Sequence, residues 1–195
     1  MILDESLVGE NVKLKNILEF IEKNKEIKKI WECQNINAID RLKLNDHGPT
    51  HIKIVASNAL KILKILKKFG IRTNIEKDYK MNPEDGEIVA VLASLFHDAG
   101  LVVSRENHEL ISLIVANHYL DKIIRNFYNE EEALIIKSEI LTAIYSHSKE
   151  IKPLTLEAAI VKLADGLDME KGRARIPFKL GAINIHSVSA LAIEK

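Results

Sequence analysis

The side chains of this sequence best suited to chemistry are His51, His97, Asp98, His108, His147 and Asp165. The pair His97 and Asp98 closes a helix that is otherwise almost wholly apolar (IVAVLASLF), where an ionised carboxylate is costly unless paired or metal-bound. Adjacent helical residues point about 100° apart, so two neighbouring ligands can share one cation only near a helix end. Gly100 is expected to supply that end. His147 extends the stripe of Ile140 and Ile144, and Asp165 continues that of Ala158 and Val161, so both are expected to face inward. His51 falls in the first turn after Pro49, and His108 in the first turn of a helix expected to be capped by Ser104. Singly, each has a plain alternative: an inward histidine can be a hydrogen-bonded core residue, and Asp165 a buried capping or salt-bridging carboxylate. Together, four imidazoles and two carboxylates form a nitrogen and oxygen donor set that suits Fe, Mn, Co, Ni or Zn, with Mg admissible. The one cysteine, Cys33, argues against a thiolate zinc site and excludes an internal disulfide.

Helical periodicity must position these groups, since only four prolines and eight glycines interrupt 195 residues. Amphipathic helices are expected over residues 11–22 and 27–43, then over Thr50–Phe69 with Val55, Ala59, Ile62 and Leu66 inward. The stretch 71–85 reads as a loop with room for a short helix. Further helices are expected over Glu87–Asp98, from Ser104 to about Phe127, over Glu130–His147, and after Pro153 and Thr155. Past Arg175 the pattern weakens, and AINIH reads as a short strand. The expected fold is all-α, with N-terminal helices (1–44) packed on a core (45–177) and an appendage (178–195) that has a short β element.

The 28 basic and 28 acidic residues balance, which argues against an extended nucleic-acid surface. No apolar run approaches the roughly 20 residues of a membrane span, and MILDESLVGE lacks signal-peptide features. A cytoplasmic protein is expected, with homo-oligomerisation left open.

The order of these residues resembles the HD superfamily of metal-dependent phosphohydrolases, whose core runs His, then His-Asp, then Asp, on separate helices. Here His51 stands in HGPTHIKIV with Val55 four residues on, His97 and Asp98 in ASLFHDAGL, and Asp165 in KLADGLDM. A subset that includes HD-GYP phosphodiesterases and some dinucleoside polyphosphate hydrolases adds two histidines between, the places of His108 (SRENHELIS) and His147 (AIYSHS). The resemblance covers roughly residues 45–177, and no GYP motif follows the HD pair.

The resemblance implies an HD-type helical bundle with one or two divalent metals. His51, His97, Asp98 and Asp165 would hold the first, and Asp98 would bridge to a second held by His108 and His147. Asp98, His108 and His147 would serve catalysis; with one metal only, the two histidines would contact phosphate or shuttle a proton. Hydroxide formed from metal-activated water would cleave a phosphomonoester or phosphodiester, of a nucleotide or a related small molecule. Lys171, Arg173 and Arg175 are candidates for binding the phosphate, with a solvated basic turn as the equal alternative. Arg41 and Lys53 are weaker ones. Asp168, one turn past Asp165, could orient a ligand. His47, His118 and His186 stay outside the donor set: His47 as a loop residue beside the site, His118 as structural. The competing reading is a metal-bound, nucleotide-sensing or regulatory module without turnover.

Overall fold

The computed structural model describes residues 2–168, and every regular element among them is helical. In chain order these are α1 (Glu5–Val8), α2 (Val12–Lys23), α3 (Lys25–Asn35) running into a π turn (Ile36–Arg41), α4 (Pro49–Lys68), α5 (Asn74–Tyr79) and α6 (Pro83–Phe96). A 3-10 turn (Ala99–Val102), α7 (His108–Ile124), α8 (Glu130–Ser146) and α9 (Leu156–Gly166) follow. The strand expected at AINIH and the residues 178–195 lie outside the described residues.

Helix α6 is the centre because its sequence is apolar on all sides, and every residue from Asp85 to Phe96 is buried. Pro83 in its first turn and a reciprocal capping box between Asn82 and Asp85 fix where it starts, earlier than the expected Glu87. Helices α4, α8 and α9 pack around it, and α7 closes against α8. Asparagine or threonine caps set other starts: Asn11 accepts from Leu14 N–H, Asn24 from Glu26 and Ile27, Asn129 from Glu132, and Thr155 from Ala158. On α4 the buried stripe is His51, Ile52, Val55, Ala56, Ala59, Leu60 and Leu63, so the expected Ile62 and Leu66 stand at its half-buried margin.

The N-terminal helices join the same core, whose buried apolar side chains run from Ile2 to Ala164. Trp31 of α3 donates its indole N–H to Leu95 O at 3.0 Å, satisfying a carbonyl in the last turn of α6.

Three local expectations are corrected. The helix expected over 27–43 gives way at Ile36 to the π turn. Helix α7 begins at His108 rather than after Ser104, because Asn107 takes a left-handed conformation (φ 54°) just before it. Gly100 is not a helix stop: α6 has already ended, and Gly100 sits inside the 3-10 turn. Its lack of a side chain is needed because a Cβ there would lie 2.1 Å from His108 O and 2.7 Å from Ser112 N. Gly100 N–H donates to Ser112 Oγ at 2.7 Å, locking the two segments together.

Candidate metal centre

Helix ends supply nearly all of the polar centre. His51 stands in the first turn of α4 behind Pro49, His97 caps the C-terminus of α6, and Asp98 opens the 3-10 turn. His108 is the first residue of α7, His147 caps the C-terminus of α8, and Asp165 lies in the last turn of α9. The structure brings these six side chains together, burying all but Asp165, which keeps 29% of its side chain exposed.

One local device orients three of the histidines. Each donates its Nδ1–H to the carbonyl three residues before it: His97 to Ser94 O at 2.8 Å, His108 to Arg105 O at 3.1 Å, and His147 to Ile144 O. His51 instead donates Nδ1–H to Asp168 Oδ2 at 2.5 Å. Carbonyls and carboxylates only accept, so these partners fix the tautomers and leave every Nε2 as a lone pair. All four lone pairs turn inward. His51 Nε2 lies 3.2 Å from His97 Nε2 and 3.3 Å from Asp165 Oδ1, and both imidazole nitrogens lie 3.3 Å from Asp98 Oδ2. On the far side of the same carboxylate, Asp98 Oδ1 lies 3.4 Å from His108 Nε2 and 3.8 Å from His147 Nε2.

Acceptors facing acceptors require positive charge between them. In a metal-free chain a proton can supply part of it. Burial opposes protonation of His97, but the Asp98 charge and hydrogen bonds to Asp165 and Asp98 raise its pKa well above the usual imidazole value. Burial likewise opposes ionisation of Asp98, yet the His97 and His47 charges hold it well below the carboxylate range. For Asp165, the contacts with His51 and His97 and the His97 charge outweigh burial and lower its pKa. His147 stays neutral, its one proton on Nδ1: burial and the neighbouring His97 charge push its pKa down to about 4. Its buried Nε2 has no hydrogen-bond partner among the described residues. That orphaned lone pair, within reach of a carboxylate oxygen, fits a cation, and no hydrogen-bond donor among the described residues meets it. Three groups of donor atoms, His47–His51–Asp98, His51–His97–Asp165 and Asp98–His108–His147, each lie within 4.8 Å of one another, a spacing that divalent transition metals can span.

Two groups at the centre were not assigned from sequence. His47 places Nδ1 2.6 Å from Asp98 Oδ2, although its loop position gave no periodic signal. Arg105 brings Nη1 to 3.3 Å from His108 Nε2, a cation beside one of the converging lone pairs. Asp168, two residues past the end of α9, is buried against His51. His118 is exposed and touches only the edge of Tyr119 among the ring contacts, so the structural role expected for it is not seen. Arg41 is exposed and bonded to Asn37. Lys171, Arg173, Arg175 and His186 lie outside the described residues.

Comparison with known proteins yields a match of residues 50–170 to the family described as HD domain. The uncharacterized protein MJ1020 of Methanocaldococcus jannaschii is 45% identical over 181 residues, covering 93% of this chain and 70% of that protein. Ribonuclease Y of the Aster yellows witches'-broom phytoplasma is 26% identical over 183 residues, covering 83% of this chain but 32% of the ribonuclease. No solved structure matches.

Proposed function

We propose that this chain, which belongs to the HD-domain family and so to the metal-dependent phosphohydrolase superfamily, cleaves a phosphomonoester or phosphodiester of a nucleotide or a related small molecule. The observation that carries the reading is the convergence of four Nε2 lone pairs on carboxylate oxygens, with every Nδ1 proton directed outward. His51, His97, Asp165 and Asp98 Oδ2 would hold one divalent cation; His108, His147 and Asp98 Oδ1 would hold a second. A divalent cation in such a donor set acts as a Lewis acid, lowering the pKa of water from 15.7 to about 7 and balancing charge on a phosphoryl oxygen.

The chain's own groups supply orientation and access. Asp168 and the carbonyls of Ser94, Arg105 and Ile144 keep the imidazoles in the tautomer that presents Nε2. Asp165, the most exposed of the donors, marks the side from which a substrate can approach. Arg105 is exposed and adjacent to His108, and its guanidinium suits a phosphate oxygen bidentately. Lys171, Arg173 and Arg175 remain further candidates for that contact. A relative named Ribonuclease Y supports phosphodiesters as the first substrates to try, while the balanced charge favours small substrates over long nucleic acids.

The test is release of phosphate or nucleotide from a panel of mononucleotides, dinucleotides, cyclic nucleotides and an aryl phosphate, with Mn, Co, Ni, Zn or Mg. The expected result is metal-dependent turnover lost to background in Asp98→Ala. Metal-loaded protein that binds nucleotide without turnover would favour the sensing module instead.

A further inference from the structure

His47 stands apart from the other histidines of the centre. Those four direct Nδ1 outward and Nε2 inward, whereas His47 turns Nδ1 into the centre, 2.6 Å from Asp98 Oδ2. An ionised carboxylate only accepts, so the imidazole is the donor in this contact. His47 also offers an atom within 4.8 Å of His51 and Asp98, but the 2.6 Å between its Nδ1 and Asp98 Oδ2 is the separation of a charge-assisted hydrogen bond.

The loop that carries His47 is anchored on both sides of the residue. Its N–H donates to Asn35 Oδ1 at 3.1 Å, and its carbonyl accepts from the Gln34 side-chain amide. Gly48 N–H donates to Asp46 Oδ1 at 2.7 Å. Gly48 lets Asn35 come close, since a Cβ there would lie 2.5 Å from Asn35 Cγ. Gln34 and Asn35 end α3, the helix that Trp31 ties to Leu95 O two residues before His97. The His47 ring also rests edge-on against His51, centroids 5.2 Å apart. The loop that carries His47 is therefore held by the side chains of Gln34, Asn35 and Asp46, and the residue itself is half-buried.

We infer that His47 is a positioning residue: its Nδ1–H grips Asp98 Oδ2 and fixes the carboxylate plane so that each oxygen faces its own pair of imidazoles. Asp98 needs such a hold because it is the one carboxylate shared by both donor groups, and its χ2 is otherwise a broad, soft torsion. The clamp from α3 makes the N-terminal helices part of the metal centre. This inference rests on the metal-binding reading above and adds to it a residue, a direction of hydrogen bonding and a support.

The experiment is Mn²⁺ binding by calorimetry, with metal content by mass spectrometry, on wild type, His47→Ala, His47→Asn, His47→Gln and Asp98→Ala. Asparagine can present an amide N–H near the place of imidazole Nδ1, whereas glutamine reaches toward Nε2. His47→Ala is expected to weaken Mn²⁺ binding by about 10- to 100-fold, the usual loss when a ligand's hydrogen-bond partner is removed. His47→Asn should restore wild-type affinity and His47→Gln should not, with the metal-free melting temperatures alike. Equal affinity in wild type and His47→Ala would overturn the inference, as would an asparagine variant as weak as the alanine one. Should His47→Ala fail to fold, the asparagine and glutamine variants decide the matter between them. Wild type that binds no more Mn²⁺ than Asp98→Ala would overturn the metal-binding reading itself, and the inference with it.

Discussion

With its Nδ1–H given to Ile144 O, His147 keeps a buried Nε2 that meets no hydrogen-bond donor among the described residues. Such a group costs about 1–3 kcal/mol when no cation is present. His147→Leu, of similar bulk, is therefore expected to raise the stability of the metal-free chain by about 1 kcal/mol while reducing the Mn²⁺ stoichiometry. Thermal unfolding in EDTA and metal counting check the two halves. Glu139 poses a related problem on α8. Burial raises its pKa despite the hydrogen bond from Tyr79, and its Oε2 is buried without a hydrogen-bond partner among the described residues. A folded-state pKa above the unfolded one means that the unfolded chain ionises first, so stability is full below the ordinary glutamate value of 4.5 and falls as pH rises through the folded value. Glu139→Gln should remove that decline, giving a higher melting temperature at pH 7 and no gain at pH 4, as followed by circular dichroism. Residues such as His147 and Asp165 could be found in the sequence because a polar side chain on an apolar stripe is conspicuous. His47 and Arg105 could not, since loop positions carry no period and their contacts depend on long-range closure.

At the level of helices, the packing of Gly100 against α7 sets the distance between the His97–Asp98 pair and His108. A Cβ at residue 100 would meet backbone atoms at 2.1 and 2.7 Å, which cannot yield as a flexible side chain would. Gly100→Ala is expected to push the first turn of α7 away, destabilising the fold by about 2–4 kcal/mol and weakening binding at His108 and His147 more than at His51 and His97. Denaturant unfolding and calorimetric metal titration check this, and an unchanged stability would show that the two segments have room to separate. The seven longer helices of the described residues and their order were readable because 3.6-residue periodicity and capping residues report directly on local backbone; the four-residue α1 was not read, and α5 only as room for a short helix. Boundaries were less so. Gly100 has the residue type of a helix stop, yet its need for no side chain comes from a neighbour in space, and the π turn after Asn35 has no local signature.

For the molecule as a whole, a centre assembled from five helices links cation binding to global stability. A ligand held at 100 times its dissociation constant by the folded state alone adds about 2.7 kcal/mol. Saturating Mn²⁺ is expected to raise the melting temperature, EDTA to reverse it, and Asp98→Ala to show neither change in scanning calorimetry. None of the helices in the described residues is long and apolar enough to cross a membrane. The all-helical class could be read from composition and periodicity. The common centre was implied by the order of the donors, although its closure around Asp98 depends on tertiary packing that no single segment encodes.

The turn at Gly70 is a place where the chain can be divided. It adopts φ 73°, and a Cβ there would meet nothing within 4 Å. A scission at that exposed corner would leave His47 and His51 on one piece and the remaining donors on the other. Asp98, His108 and His147 would stay together, but the group of His51, His97 and Asp165 would be split, so a cation held there would act as a rivet between the pieces, and a chelator as the means of parting them.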